Sequence, residues 1–387
     1  MPRELLWQLL DKFGVPPKLI YLLRVLHQDV SVKFDVDGIE QQVRCTIGVK
    51  QGDILGPVLF SIYIAGIMIS WRETTECPAL IFLTKYDCTL TGRHPTAKGD
   101  QFVLSDSEYA DDTAMLFDSR ESVEKYSPLL FQHFSDYGME IHAGDERHSD
   151  KKSKTEVLFV AAPPSAYADP SSFDNANLGV IPIGSGRFFP VVDQFCYLGS
   201  ILTRDCTDDA DVKARITKAA GAFGSVRKEV FSNTRVCFEG KRLIYEGLIL
   251  AILLYGCESW CLTEKCFDKL RLFHARCTRA MCRVTRWHTW KNRISTEQLW
   301  KRIGLKSIDT YINRRQLQWA GHVMRMPYNR LPRKMMTCWL PSTRPKGCPK
   351  FTYGRSLYKA LKKVNISKSV WVDLAMERER WQEAILR

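Results

Sequence analysis

The sequence predicts an α+β fold, with a mixed N-terminal half and a mostly helical, basic C-terminal part. In the first half, segments with helical spacing of apolar residues alternate with hairpin signals and short strand-like runs. After about residue 231 the helical pattern dominates, with interruptions at Pro327, at Pro332 and over residues 341–350. A chain of 387 residues that is 45% hydrophobic can bury two cores.

Two helices, a hairpin and a third helix are predicted first along the chain. Apolar residues recur at helical spacing over residues 3–13 and 18–27. The pair Asp37-Gly38, between two alternating runs, is typical of a tight hairpin turn. A third helix is expected over residues 55–71, because Pro57 is tolerated in a first helical turn.

A second hairpin is predicted from Gln101 to Phe117, and its turn contains two adjacent aspartates. A helix from Ser119 to about Tyr137 should follow, capped by Ser119 or Ser122.

The rest of this half is predicted to contain short strands and one long helix. Strands are expected at residues 155–161, near Val180 and at residues 195–198. Residues 161–179, rich in Pro, Ala, Ser, Asp and Asn, predict a flexible excursion. One helical stripe of apolar residues covers residues 208–230.

The net charge of +13 is distributed unevenly along the chain. Residues 1–200 hold 18 Lys and Arg against 27 Asp and Glu, whereas residues 201–387 hold 38 against 16. Residues 271–368 hold 24 basic residues and only Glu297 and Asp309 as acids. Five tryptophans are interspersed with these basic residues: Trp287, Trp290, Trp300, Trp319 and Trp339.

A basic surface with interspersed aromatic residues suits a nucleic acid, whose phosphates attract Lys and Arg and whose bases stack on rings. The alternative is a solvated basic surface whose tryptophans belong to the core. If the first interpretation holds, affinity should fall steeply with salt, and binding should be concentrated in residues 271–368.

Cysteine usage and hydropathy predict an intracellular protein, in the nucleus, the cytoplasm or both. The 13 cysteines have no regular spacing, which favours free thiols over a disulfide framework. The first residues are amphipathic and do not resemble a secretory signal. The longest apolar run, residues 243–255, is too short to span a bilayer, so we expect no membrane partner.

The adjacent carboxylates of Asp111 and Asp112 are the first candidate for chemistry. Two carboxylates at one turn repel each other unless a cation lies between them, and hard oxygen ligands suit Mg²⁺. A pair of metal ions held by carboxylates can activate a hydroxyl and stabilise a leaving pyrophosphate. The simpler interpretation is that aspartate favours turns, and it would hold for an isolated Asp-Asp pair.

The surrounding motifs favour the metal interpretation. YADD (109–112) between apolar strands resembles motif C of the reverse transcriptases, and GVKQGDILGPVLFSIYI (48–64) resembles motif B. GMEIHAG with KKSKTEVLF (138–144 and 151–159) resembles motif D, and FCYLGSIL (195–202) resembles motif E, the primer grip. Their order is that of the family.

Within that family, the motif sequences most resemble those of the non-LTR (LINE-like) retrotransposon enzymes. The first helical segment resembles the one that follows their motif A, and YGCESW (255–260) with the basic tail resembles their C-terminal region.

The resemblance implies an RNA-directed DNA polymerase that takes an RNA template, a DNA primer and deoxynucleotides and uses two Mg²⁺ ions. It implies that Asp111 and Asp112 bind metal and that Lys154, or alternatively Lys152, neutralises or protonates the pyrophosphate. It also implies two sets of substrate-binding residues. They are Gln51, Gly52, Tyr109 and Ala110 for nucleotide and template, and Phe195, Tyr197, Leu198 and Gly199 for the primer end.

The same resemblance implies a division of the chain into three regions. Residues 1–202 would be a partial polymerase palm, an antiparallel sheet with helices; residues 203–235 a helical thumb; and residues 236–387 a basic, helical nucleic-acid-binding domain.

The family takes a further metal-binding aspartate from motif A, on a strand before the helix with which this sequence begins. We therefore expect the motif A aspartate and the fingers to be missing, and the isolated chain to be impaired as a polymerase. Asp53, Asp106 and Glu108 are acidic and close in sequence, but we do not expect them to replace the missing ligand. The alternative function is that of a non-catalytic or co-opted RNA- or DNA-binding protein.

The cysteines and histidines between residues 257 and 288 are candidate ligands for a zinc ion. That segment has no CxxC pair and a helical pattern, so buried thiols are the preferred interpretation. The sequence contains no recognisable nuclease constellation and does not indicate an oligomeric state.

Overall fold

The computed structural model describes residues 1–50, 52–77, 79–84, 101–147, 153–160, 179–339 and 352–386. It confirms the predicted α+β fold, with small, mostly antiparallel sheets and a mostly helical C-terminal part. The predicted excursion at residues 161–179 lies, except for Gly179, outside the described residues. No helix of the described ranges is long and apolar enough to cross a membrane.

The described chain forms two compact units. The first contains the described residues within 1–81, 103–159 and 179–192, and the second contains those within 82–102 and 193–386, together with Val160. Residues 193–202, which the sequence analysis grouped with the first half, thus lie in the second unit.

Helices α1 to α4 and two hairpins make up most of the first unit. The elements are α1 Arg3–Lys12, α2 Pro17–His27, β1 Ser31–Val36, β2 Ile39–Arg44, α3 Gly56–Thr74, β3 Leu80–Thr84, β4 Gln101–Leu104, β5 Asp106–Tyr109, β6 Asp112–Met115 and α4 Arg120–Asp136. Of these, β3 and β4 cross the boundary between the units. The Asp37-Gly38 turn joins β1 to β2 as predicted, with positive φ at both residues.

The core of the first unit lies between α1, α3 and α4. It contains Leu6, Tyr63, Ile67 and Phe134, all less than 9% exposed. Gly66 allows close approach of α1 to α3, because a Cβ there would lie 2.8 Å from a Leu9 methyl. Of the two predicted capping residues, Ser119 is the one that caps α4, because its side chain accepts a hydrogen bond from the Ser122 N–H at 3.2 Å.

The predicted hairpin from Gln101 to Phe117 is shorter in the structure. Only β5 and β6 pair with each other, whereas β4 pairs with β3 in a three-stranded sheet whose third strand, Cys338–Trp339, lies on the other side of β3. The rings of Phe82 and Phe102 stack with centroids 5.3 Å apart, a packing that favours the β3–β4 pairing.

A small sheet completes the first unit. It contains β7 Gly144–Asp145, β8 Val157–Leu158, β9 Val180–Gly184 and β10 Arg187–Val192, with β10 in the centre. The strand predicted at residues 155–161 is therefore limited to two residues.

Helices dominate the second unit. Its elements are β11 Gln194–Tyr197, β12 Ser200–Thr203, α5 Asp209–Val226, α6 Phe238–Ile244, α7 Leu250–Leu253, α8 Glu264–Met281, α9 Arg286–Lys291, α10 Thr296–Ile303, α11 Ile308–Arg325, α12 Leu331–Thr337, β13 Cys338–Trp339, α13 Tyr353–Lys363, α14 Trp371–Met376 and α15 Arg378–Leu386. Two π-helical turns, Arg227–Phe231 and Tyr245–Ile249, follow α5 and α6.

Two hydrophobic clusters stabilise the second unit. The larger one includes Phe231, Tyr245, Leu270 and Ile312, and the other forms where α11 meets α13, α14 and α15. The basic stretch 271–368 contributes to both clusters. It is therefore part of the folded core of this unit and not a detachable tail.

Candidate active site

The adjacent aspartates lie at the β5–β6 turn. Tyr109 pairs with Asp112, so Ala110 and Asp111 are the two central turn residues, and Asp112 is the first residue of β6. Ala110 has a φ of +55°, the backbone region that glycine adopts most easily. A positive φ at the first central residue only is typical of a type II′ hairpin turn.

Both aspartate side chains are exposed and available to a ligand. Neither carboxylate hydrogen-bonds or forms an ion pair with another residue in the described part of the chain. Tyr109 is 65% exposed and lies across the ladder from Asp112, on the same face of the hairpin. The turn thus presents two carboxylates and an aromatic ring to solvent.

A guanidinium group attaches the hairpin to α3. Arg72, near the end of α3, donates through Nε and Nη2 to both oxygens of Asp106, at 3.1 and 2.7 Å. Its Nη2 also donates to Glu108 Oε1 at 2.8 Å. The Asp106 side chain is only 6% exposed, so this bidentate contact neutralises a nearly buried charge.

The three groups of this contact alter one another's proton affinity. Burial raises the pKa of Asp106, but the hydrogen bonds from Arg72 and Ser105 outweigh it and hold the pKa below its usual range. Burial, and then the neighbouring Asp106, raise the pKa of Glu108. Both carboxylates thus accept hydrogen bonds from Arg72. They lie on the face of the hairpin opposite to that of Asp112.

The loop before α3 contains Gly52, whose φ is +86°. A Cβ added there would meet nothing within 4 Å, so the backbone conformation explains the glycine. The Asp53 N–H donates to the Lys50 carbonyl at 3.2 Å, and the Gly56 N–H donates to the Asp53 carbonyl at 3.3 Å. Gln51 lies outside the described residues.

Lys154 has an exposed side chain in the segment before β8. Its N–H donates to His142 Nδ1 at 3.1 Å, and the Thr155 N–H donates to the His142 carbonyl at 3.2 Å. These contacts fix the backbone beneath the lysine. The alternative, Lys152, lies outside the described residues.

The predicted primer-grip residues form the β11–β12 hairpin of the second unit. Leu198 and Gly199 are its turn residues, with φ of +47° and +83°, the signs of a type I′ turn. The rings of Phe195 and Tyr197 stack with centroids 6.3 Å apart. A leucine with positive φ is strained, and the contacts around the turn hold it in place.

Two side chains brace this turn through its carbonyl groups. The Tyr255 hydroxyl donates to the Leu198 carbonyl at 3.0 Å, and Arg215 donates through Nη2 to the Gly199 carbonyl. The Arg215 guanidinium also lies 4.3 Å from the centroid of the Tyr255 ring. The YGCESW segment and α5 therefore support the same two-residue turn.

Asp211 connects the β11–β12 hairpin, α5 and the YGCESW segment. It is 3% exposed and accepts from the Ile201 N–H at 3.1 Å and from Trp260 Nε1 at 2.9 Å. Its Oδ1 is 3.6 Å from Arg215 Nε. Asp211 and Arg215 are not among the predicted site residues, although their i, i+4 spacing on one helix is a detectable signal.

The cysteines and histidines between residues 257 and 288 are mainly part of the core. Cys257, Cys266 and Cys277 are at most 2% exposed. His274 accepts from the Tyr245 hydroxyl at 2.9 Å and donates to the Lys306 carbonyl at 3.0 Å, and burial lowers its pKa to about 4. Over the described ranges, no group of three or more His, Cys, Asp and Glu side chains is placed to hold a metal ion.

The candidate residues are thus divided between the two units. Gly52, Lys154 and the Tyr109–Asp112 turn belong to the first unit, and the β11–β12 hairpin belongs to the second.

Two comparisons with known proteins bear on this site. Residues 1–199 match the sequence profile of the family described as reverse transcriptase (RNA-dependent DNA polymerase). A Caenorhabditis elegans protein described as transposon-derived is 24% identical over 295 residues, which is 73% of this chain and 96% of the worm protein. The family match includes the Asp111-Asp112 turn, Gly52 and Lys154.

Replacing Arg72 by methionine should destabilise the first unit by about 2–3 kcal/mol at pH 7. This is less than for a fully buried pair, because Arg72 is 43% exposed. The Asp106 pKa is lowered in the folded state, so its stabilisation is present above the unfolded pKa of about 4 and is lost as the pH falls through the folded value. The loss caused by Arg72→Met should therefore shrink below about pH 4.

The free energy of unfolding is measured by urea titration, with hydrogen exchange of peptides from α3 and β5–β6 as the readout. Arg44→Met is the matched control, because Arg44 forms an exposed ion pair with Asp29 and its loss should cost less than about 1 kcal/mol. Equal losses for the two variants, or a loss from Arg72→Met that does not change with pH, would contradict this role of Arg72.

Gly199→Ala should lower the stability of the second unit by about 1–2 kcal/mol, since its φ of +83° strains any residue with a Cβ. Gly221→Ala should instead raise stability by up to about 1 kcal/mol, because Gly221 lies within α5 with open space around it. Thermal unfolding measures both effects. An unchanged or higher unfolding temperature for Gly199→Ala would show that the turn conformation does not limit residue 199.

Proposed function

The chain belongs to the reverse transcriptase (RNA-dependent DNA polymerase) family, and from that premise we propose that it is the polymerase protein of a non-LTR (LINE-like) retroelement. Its substrates would be an RNA template, a DNA primer and deoxynucleotides. Support comes from the order of motifs B to E in the sequence and from the worm relative's description as transposon-derived.

The Asp111-Asp112 turn carries the proposal. Its two carboxylates are exposed and have no cationic partner in the described part of the chain, while the neighbouring acids Asp106 and Glu108 accept hydrogen bonds from Arg72. Two unpaired carboxylates at one turn repel each other, and a bound cation would relieve that repulsion. Core packing does not account for this arrangement.

The donor set suits Mg²⁺, since carboxylate oxygens are hard ligands and an exposed turn leaves room for its water molecules. Asp111 and Asp112 would hold the ion. When bound, Mg²⁺ would activate the attacking primer hydroxyl and stabilise the leaving pyrophosphate. The two carboxylates would fix the ion on the hairpin, and Arg72 would hold the hairpin against α3.

Other residues would bind and orient the substrates. The Gly52 loop would leave backbone groups accessible to the nucleotide and template, and Lys154 would neutralise or protonate the pyrophosphate. The strained Leu198-Gly199 turn, braced by Tyr255 and Arg215, would support the primer end. The remaining proposed contacts are Gln51, Tyr109 and Ala110 for nucleotide and template, and Phe195 and Tyr197 for the primer.

The proposed regions follow the same assignment. We assign residues 1–202 to the palm, residues 203–235 to a thumb-like helix and residues 236–387 to a basic nucleic-acid-binding region. The two-metal chemistry of the family needs more carboxylate ligands than the turn provides.

In the described part of the chain no third acidic ligand joins Asp111 and Asp112, which supports the proposal of weak or absent catalysis by these 387 residues alone. No cluster of three acidic, histidine or cysteine side chains occurs in the part of the chain that the structure describes. The second candidate function, nucleic-acid binding without catalysis, is favoured by the same observation and by the net charge of +22 over residues 201–387.

We expect the purified 387-residue chain to extend a DNA primer on an RNA template no faster than its Asp111→Asn variant. Two carboxylates on one turn cannot position two metal ions. Steady-state primer extension in Mg²⁺ and in Mn²⁺ measures this, with Asp53→Asn as a matched control outside the turn.

Extension by the wild-type chain that Asp111→Asn abolishes would contradict the expected impairment and support the assignment of Asp111. Extension that survives Asp111→Asn but not Asp53→Asn would contradict the assignment itself.

A further inference from the structure

Two tryptophans of the second unit are exposed to solvent. Trp287 and Trp290 on α9 are 62% and 77% exposed, whereas Trp260, Trp371 and Trp381 are at most 2% exposed. Their spacing of three residues places both rings on one side of the helix. Large aromatic side chains are mostly buried, so two exposed neighbours indicate a binding surface.

Unpaired positive charge surrounds these rings. Residues 271–296 contain seven Lys and Arg and no Asp or Glu. Arg283, Arg286, Trp287, Trp290, Lys291 and Arg293 form what we call the tryptophan surface, and all six side chains are exposed. Over the described residues, none of its basic side chains forms an ion pair.

The nearest cations repel one another. Burial, followed by the charges of Arg286 and Arg276, lowers the pKa of Arg279, which lies four residues before Arg283 in the chain. Such repulsion is relieved when a polyanion binds. The charge pattern therefore favours an anionic partner over an apolar peptide.

The surface is built on a well-supported element. Thr285 caps α9 by accepting from the His288 N–H at 3.1 Å, and the flanking Val284 and Ile294 pack against the core. Lys291 Nζ lies 4.8 Å from the centroid of the Trp287 ring. Trp290 lines an open groove together with Ile294 and Arg293.

We propose that the tryptophan surface binds single-stranded nucleic acid, with bases stacked on Trp287 and Trp290 and phosphates against the surrounding Arg and Lys. Stacking needs exposed base faces, which a duplex lacks, so the surface should prefer single strands. The inference rests on the proposed function, because a reverse transcriptase encounters unpaired template RNA and unpaired product DNA.

The other tryptophans of the basic stretch are not equivalent. Trp300 packs against the hydrophobic core, and Trp319 on α11 is 36% exposed with its ring 5.8 Å from that of His322. Nothing is described for the Trp339 side chain. Trp319 therefore provides a matched control for the loss of a tryptophan from the same unit.

The experiment measures fluorescence anisotropy of labelled 20-nucleotide RNA, DNA of the same sequence, and the corresponding DNA duplex, with the full chain in EDTA. Replacing both Trp287 and Trp290 by leucine should weaken single-strand binding by about tenfold for each tryptophan, with little change for the duplex. Phenylalanine at both positions should restore most of the affinity, because it retains an aromatic face. Trp319→Leu should leave binding unchanged.

A second pair of substitutions tests the phosphate contacts. Arg283→Gln with Arg286→Gln should lower the slope of log affinity against log salt by about 0.7 for each arginine. Stronger binding of RNA than of DNA would identify the template as the ligand, and the reverse order would identify the product strand.

Wild-type single-strand affinity in the leucine variant, or an equal loss for the duplex, would overturn the proposal. Because the binding is measured in EDTA, its outcome does not depend on metal binding at Asp111 and Asp112. Failure of the tryptophan surface is thus distinguishable from failure of the proposed catalytic site.

Discussion

The contact between Arg72 and the two acids of β5 is the interaction on which the candidate active site depends most. A short two-stranded hairpin is only marginally stable in water by itself. Here the bidentate pairing of Arg72 with Asp106, extended to Glu108, attaches the hairpin to α3. Because α3 contributes Tyr63 and Ile67 to the core of the first unit, the carboxylates at the turn rest on a rigid element.

The same contact separates two kinds of acidic residue that are adjacent in sequence. Asp106 and Glu108 face Arg72 and have a structural function, whereas Asp111 and Asp112 are free to bind a cation. In the second unit, Asp211 and Arg215 stabilise the Leu198-Gly199 turn in a comparable way. In both places a largely buried carboxylate and an arginine stabilise a hairpin whose turn contains a strained residue.

Much of the fold could be predicted because local patterns determine it. Helices α1 to α4 follow the periodicity of apolar residues. The pairs Asp37-Gly38 and Asp111-Asp112 predict the positions of the β1–β2 and β5–β6 turns, because short polar residues are preferred in turns. The β3–β4 pairing could not be predicted, since it joins strands separated by 16 residues and depends on the stacking of Phe82 on Phe102.

The supports of the candidate site were also hidden from the sequence. Arg72 and Asp106 are 34 residues apart, and Tyr255 and Leu198 are 57 residues apart. Composition indicated a basic surface with aromatic residues but could not show which tryptophans are exposed, because burial depends on tertiary packing. Motif spacing predicts the candidate substrate-binding residues. The residues that hold them in place are distant in sequence, and only the long-range contacts of the folded chain identify them.

We propose that the hairpin held by Arg72 presents a metal site at Asp111 and Asp112. Iron(II) in place of Mg²⁺, with added hydrogen peroxide and ascorbate, generates hydroxyl radicals that cut the backbone next to the bound ion, and mass spectrometry of the fragments locates the cuts. Cuts should fall around residues 109–113 in the wild-type chain, disappear in Asp111→Asn and weaken in Arg72→Met, which leaves both ligands in place. Cuts at the same position and of the same intensity in all three proteins would contradict the account.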